Sequence, residues 1–248
     1  MKDKKRGNSD YQDRINLVKQ YVDTFGQEAI ECILGDREFI GKNWVTWLEE
    51  NQIHYVLRIR ENNQYIAKKR GKIVKAASLF KSLQANTSKY LGKRHIGKTN
   101  PYMGHITGLK ASNGQLVVLL HSPDIEQPCQ VYRKRWQIEL LFKVMKTSGF
   151  DLEATHITHT ERLDTLLAVV AISACLAYQI GLFYIKKQPP KIKKHGYKPL
   201  NTVRLGLDLI TDWIRGNLCN NKGAYHRKLA PLILIICQYF ERLKIFVV

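Results

Sequence analysis

Tyr132, Arg135, Glu139 and Lys146 fall on one stripe of a predicted helix. An α-helix turns about 100° per residue, which sets Arg135 at about −60°, Glu139 at about −20° and Lys146 at about −40° from Tyr132. A carboxylate, two cations and a phenol thus share one face. Ile138, Leu141 and Met145 lie roughly 180–240° round the helix and form an apolar side to bury. A carboxylate can hold a hard divalent cation, and Arg and Lys beside it can hold phosphate. The stripe suits metal-assisted chemistry on a phosphate backbone. Arg135 and Glu139 are also spaced as an ordinary surface ion pair, worth about 0.3–0.5 kcal/mol. Spacing alone does not separate the two readings.

The elements around this stripe point to a sheet that presents a second acid. A helical pattern starts at Tyr11, with Ile15, Val18, Val22 and Phe25 on one face and Gly26 as its terminator. Ala29 to Gly35 reads as a mostly buried strand, and Asp36 stands at its carboxyl end. Gly41 to Gln52 reads as a helix with Trp44, Val45, Trp47 and Leu48 inward. His54 to Arg60 alternates as a strand with Tyr55, Leu57 and Ile59 on one side. Helix–strand–helix–strand marks an α/β sheet, in which reactive groups gather at the carboxyl ends of strands. Asp36 is so placed, although turn and cap residues take that position too.

The chain has 248 residues, with 40 Lys and Arg against 21 Asp and Glu, a net charge of +19. That field favours polyanions, nucleic acid ahead of membrane. Residues 58 to 98 are densely basic, with Tyr65 and Tyr90 interleaved. Short β-like pieces, notably Gln115 to His121, suggest a β-rich insertion with a basic surface. Cys32, Cys129, Cys175, Cys219 and Cys237 are scattered singly with no CxxC pair, so neither a zinc ribbon nor a disulfide framework is indicated. An odd count without a signal peptide suits a reducing cytoplasm. His156 and His159 lack a third ligand nearby in sequence and read as structural or capping residues. Leu163 to Ile185 is long and apolar enough to cross a bilayer, but Asp164, Ser173 and Gln179 favour a buried core helix. Lys186 to Lys198 is a Pro- and Lys-rich loop, either a linker or a track for a phosphate backbone. Leu229 to Phe240 reads as a buried helix, and Thr202 to Arg215 as a helix.

Two runs carry a family resemblance: GDREF, Gly35 to Phe39, and YRKRWQIELLFKVMK, Tyr132 to Lys146. Together they resemble the DDE transposases of bacterial insertion sequences, of the insertion-sequence-four type. The second run matches that group's signature of Tyr, two residues, Arg, three residues, Glu, six residues, Lys. Thr147 to Thr158 also looks like these proteins. The resemblance implies an α/β, ribonuclease-H-like catalytic core over 1–60 and 130–185. It implies a basic β-rich insertion over 61–129 and a carboxyl-terminal helical region over 186–248. Asp36 would be the second acid of the catalytic triad and Glu139 the third, both ligating Mg²⁺, with Mn²⁺ as a substitute. Tyr132, Arg135 and Lys146 would grip phosphates of DNA at the transposon ends. The activity implied is metal-dependent phosphodiester hydrolysis and strand transfer by a nucleoid-associated, cytoplasmic protein, a homodimer in its synaptic complex.

One departure matters. The family's first acid lies on the first core strand, well before this motif. Asp3, Asp10, Asp13 and Asp23 precede Asp36, and none sits in an apolar strand. The expectation is an amino-terminally truncated core that lacks the first Asp and is weakly active or inactive. The alternative is a non-catalytic DNA-binding inhibitor of transposition.

Overall fold

The structure is a computed structural model that describes residues 10–62, 64–69, 71–147, 150, 152–157, 159–189 and 201–218. Positions 190–200 and the predicted helix at Leu229 to Phe240 lie outside these residues. The chain divides into two compact units, one ending at Trp136 and the other starting at Gln137. The basic β-rich segment continues the sheet that the first strands begin.

In the first unit, helix α1 runs Tyr11–Phe25. Asp10 and Asp13 exchange side-chain-to-backbone bonds across its first turn, which satisfies two amide groups that a helix start leaves open. Gly26 ends it at φ 85°, a conformation that side chains with a Cβ rarely adopt. A 3₁₀ turn at Gln27–Ala29 follows, then β1, Ile33–Gly35. The predicted strand was longer, but β2 starts only at Tyr55 and offers residues before Ile33 no strand opposite. Helix α2 is Lys42–Glu50 and β2 is Tyr55–Ile59. Next come β3 Tyr65–Ala67, β4 Ile73–Lys75, β5 Thr87–Ile96, β6 Tyr102–Lys110 and β7 Leu116–His121. The sheet order is β1-β2-β7-β6-β5-β3-β4. β1 and β2 are parallel, and every other pairing is antiparallel.

Register sorts the side chains into two faces. Tyr55, Leu57, Ile59, Val118, Leu120, Ile106, Ile96 and Ile66 pack with Ile15 of α1, with Trp44, Val45 and Leu48 of α2, and with Phe80. Each such fully buried large apolar side chain contributes about 1.5–3 kcal/mol. The Phe80 ring occupies the space where Gly108 would carry a Cβ, so the glycine is a packing requirement. The opposite face carries Val56, Arg58, Leu119, His121 and Thr107. Helix α3, Pro128–Arg133, packs against β2, β6 and β7.

The second unit is helical, with α4 Trp136–Thr147 leading into it, α5 Thr160–Lys187 and α6 Thr202–Leu218. Val144, Ala174, Ala177 and Val203 form its core with Leu141, Leu207 and Ile210. Gly181 meets the Thr202 carbonyl and Gly206 meets the Ala177 carbonyl, so α5 and α6 approach backbone to backbone. Two sequence expectations change here. Ile138 is 49% exposed, while Met145 is buried as predicted. Helix α5 is not a buried core helix: Val169, Ile172 and Tyr178 are exposed. Among the described residues it is covered along one stripe, chiefly by α6. By length and composition, Glu161–Lys187 could cross a membrane, and 28% of its most apolar stretch is buried. The mixed α/β topology is as the sequence predicts.

His121 gives a pH dependence. It is 2% exposed. Its Nδ1–H donates to the Ser122 carbonyl at 2.8 Å, which leaves Nε2 to accept from the Thr107 hydroxyl at 3.0 Å. Burial lowers its pKa, the Ser122 bond opposes this, and His105 adds to the lowering. The unfolded chain takes up that proton near the ordinary value of about 6.5. Stability is therefore full above about pH 6.5 and falls as pH drops from there through the lower folded value. Calorimetry should show Tm falling between pH 7.5 and 5, with a shallower fall in His121→Asn. At this chain length each kcal/mol lost lowers Tm by about 2–4 °C.

Candidate phosphate and metal site

Parallel pairing of β1 with β2 places Gly35 opposite Leu57 and Asp36 just past the end of β1. The turn that follows is held from several sides. The Phe39 N–H donates to the Asp36 carbonyl at 2.9 Å. A Cβ on Gly35 would stand 2.7 Å from Leu57 Cδ2 and 2.9 Å from Phe39 Cβ, so only glycine lets the turn fold onto the sheet. Arg14 of α1 donates to the Glu38 carbonyl at 2.9 Å, and its guanidinium lies 4.8 Å from the Phe39 ring centre. Arg60 reaches Glu38 at 3.9 Å, a half-exposed pair worth little by itself. Asp36 Oδ1 accepts the Arg37 backbone N–H at 2.8 Å. Its second oxygen can take a further donor or a hard cation.

A cleft of about 650 Å³ opens there, lined by Asp36, Arg37, Glu38, Phe39, Arg58 and Arg60. Arg58 and Arg60 were legible only indirectly. If Tyr55, Leu57 and Ile59 face the core, the even-numbered residues of β2 face the other way. The missing step was the parallel register that aligns them with Asp36.

Tyr132 and Arg135 reach the same region by a route that corrects the sequence stripe. The predicted single helix is two. Helix α3 stops at Arg133, and the Lys134 and Arg135 amides donate to Val131 and Tyr132, each at 3.0 Å. This tightens the turn to 3₁₀ geometry, in which residues three apart eclipse. The Arg135 guanidinium consequently lies 5.7 Å from the Tyr132 ring centre. Lys134 pairs with Glu31 at 3.2 Å. The phenol's pKa is raised, first by burial and then by Asp36, against the opposing charges of Arg135 and Arg58. Its hydroxyl therefore stays a donor at neutral pH. Arg135 acts on it through charge and as a side-chain donor toward the phenol oxygen, and the hydroxyl proton has no acceptor among the described residues.

Asp36, Arg58, Tyr132 and Arg135 are thus one neighbourhood. Glu139 and Lys146 belong to the second unit. Both lie on α4, seven residues apart and about 20° apart around the axis, Glu139 half-buried and Lys146 exposed. Burial pushes the Cys32 thiol up to about 11 and raises Cys129 too, so neither acts as a thiolate at neutral pH. Among the described residues no three His, Cys, Asp or Glu side chains form a metal-holding group. His159 takes the N-cap position of α5 without a side-chain cap bond, and His156 is exposed. Mg²⁺ keeps several waters and needs only one or two carboxylates. Asp36 fits one such ligand place, and the Arg side chains around it fit the phosphate that accompanies the ion.

A carboxylate at the carboxyl end of a parallel strand, among guanidinium groups and a protonated phenol, has the chemistry to meet a phosphate and a hard cation. Comparison with known proteins narrows that chemistry. Residues 11–176, more than half of the chain, match the family described as Transposase DDE domain, and the chain belongs to that family. No curated protein matches. Among solved structures it is similar to the piggyBac transposase, determined by cryo-electron microscopy as a synaptic complex with hairpin DNA. That similarity has a TM-score of 0.40 at 15% identity and covers 88% of this chain and 43% of that one. The chain therefore spans less than half the length of that relative.

The orphaned Tyr132 hydroxyl makes a measurable prediction. A buried polar group without a partner costs about 1–3 kcal/mol. Tyr132→Phe should therefore hold or raise Tm in thermal melts while weakening phosphate and DNA binding. A clear drop in Tm would show that the hydroxyl is satisfied in the folded protein.

Proposed function

We propose that this chain acts in DNA transposition, as part of a transposase of a bacterial insertion sequence of the insertion-sequence-four type. Membership of the Transposase DDE domain family carries this reading, and the neighbourhood of Asp36, Arg58, Tyr132 and Arg135 supports it. The core on this reading is ribonuclease-H-like, with residues 61–129 as its insertion. Asp36 and Glu139 hold Mg²⁺, or Mn²⁺ in its place. The ion, when bound, makes water or a 3′-hydroxyl a better nucleophile and stabilises charge on the leaving oxygen. The chain's own residues bind and orient: Tyr132 donates from its phenol, Arg135 offers a planar fork, and Lys146 supplies a point charge to backbone phosphates. Two such chains joined as a homodimer in a synaptic complex, in the nucleoid-associated cytoplasm, complete the proposal.

Among the described residues Asp36 is the one acid that directly follows a strand. The second reading is a non-catalytic DNA-binding inhibitor of transposition. One assay separates the readings. Purified chain is incubated with Mg²⁺ or Mn²⁺ and a labelled duplex carrying the inverted repeats that flank its coding sequence. Salt-sensitive binding is expected, with affinity lost steeply between low and physiological salt. For the enzyme reading, any nicking should fall by several orders of magnitude in Asp36→Asn and in Glu139→Gln, with binding within a few-fold of wild type. Binding without nicking by the wild-type chain selects the inhibitor. Nicking that survives both substitutions, or no DNA binding at all, overturns the proposal.

A further inference from the structure

Arg58 is left unexplained by its packing. It sits on β2, opposite Leu119 of β7, on the sheet face away from the main core. Six buried side-chain atoms lack a hydrogen-bond partner among the described residues, and three of them belong to Arg58 and Tyr132: Arg58 Nε, Arg58 Nη2 and Tyr132 Oη. Buried guanidinium donors without an acceptor are costly and are rarely kept without a use. The two orphaned nitrogens share one edge of the guanidinium, and their N–H bonds run parallel. That edge matches two oxygens on one phosphorus. The cleft charge agrees with an anion: Arg37, Arg58 and Arg60 line it against Asp36 and Glu38, and Glu38 is already paired with Arg60.

We infer that Arg58 is a backbone-phosphate receptor, gripping two non-bridging oxygens of one DNA phosphodiester side-on through Nε–H and Nη2–H, beside Asp36. The Tyr132 hydroxyl is the third donor to the same group. This rests on the DNA reading above and adds a residue that neither helix α3 nor helix α4 supplies. Lysine cannot replace it, because a point charge does not fix the rotation of a phosphate.

The test compares wild type, Arg58→Met and Arg58→Lys for binding of a labelled mixed-sequence duplex across a salt series, with a thermal melt of each. Both variants should bind about five- to thirty-fold more weakly at low salt, and the logarithmic salt slope of Arg58→Met should be shallower by about one. Arg58→Met should melt no lower than wild type, since it removes a buried charge that lacks a partner. Binding by Arg58→Met equal to wild type overturns the inference. So does an Arg58→Met melt well below wild type with Arg58→Lys binding normally, the signature of a structural arginine. A second measurement stands apart from DNA. The Arg58 Nε–H resonance of the wild-type chain should move on titration with inorganic phosphate and stay fixed with chloride at matched ionic strength. A wild-type chain that fails to bind duplex sinks the transposition reading, and the phosphate titration still decides Arg58: no movement overturns it.

Discussion

Parallel pairing of three residues of β1 with three of β2 is the constraint on which the site depends. It is a short ladder, Ile33–Tyr55, Leu34–Val56 and Gly35–Leu57. Its consequence is large because β1 ends opposite Leu57 while β2 runs on to Ile59. Asp36 leaves β1 where Arg58 and Arg60 leave the plane of β2, so a carboxylate and two guanidinium groups line one cleft. A slip of one residue would turn Arg58 into the apolar core and Leu57 into the cleft. The slip is resisted by Tyr55, Leu57 and Ile59, each buried among α1, α2 and the far strands. The apolar face of β2 thereby fixes the placement of its polar face.

The polar groups held this way are not arranged for stability. Arg58 and Tyr132 keep buried donors without acceptors, while nearby contacts that could have been simple ion pairs, such as Arg60 with Glu38, are half-exposed and weak. Replacing Arg58 by an apolar residue of similar size would remove the penalty at no cost to the sheet. A fold that retains such groups does so at sites where binding supplies the missing partner. The stiffness of the surrounding turn fits this. Gly35, Phe39 and Arg14 lock residues 36–39 onto the sheet, so the donors and the carboxylate do not collapse onto one another.

Much of this was legible in the residues and some was not, for identifiable reasons. The α1 face of Ile15 and Val18, the Gly26 stop and the β2 alternation follow from period and backbone freedom alone. Asp36 was legible as a strand-end acid. The break after Arg133 was not, because no Gly or Pro marks it; the chain only exchanges i→i−4 for i→i−3 bonds, and that exchange is what puts Arg135 against Tyr132. Ile138 and the exposed residues of α5 read as core because a periodic pattern shows which side of a helix is apolar, not how much of it finds cover. Arg58 was hidden among a dozen basic neighbours, since charge counting weighs an orphaned guanidinium and a solvated lysine alike.

That last distinction separates two tasks of the same charge. The surplus of +19 acts at long range and without direction. It draws a polyanion in from any side, falls away with salt, and carries no information about where on the strand the protein sits. Lysines of the basic strands, such as Lys89 and Lys93, are exposed and act in this way. A guanidinium edge held below the surface acts only at contact and only in one orientation. It adds little to encounter; in the role inferred for Arg58 it would set which phosphorus stands beside Asp36 and how that phosphate is turned. Chemistry at a single linkage needs the second property, and the first cannot substitute for it however many cations are added.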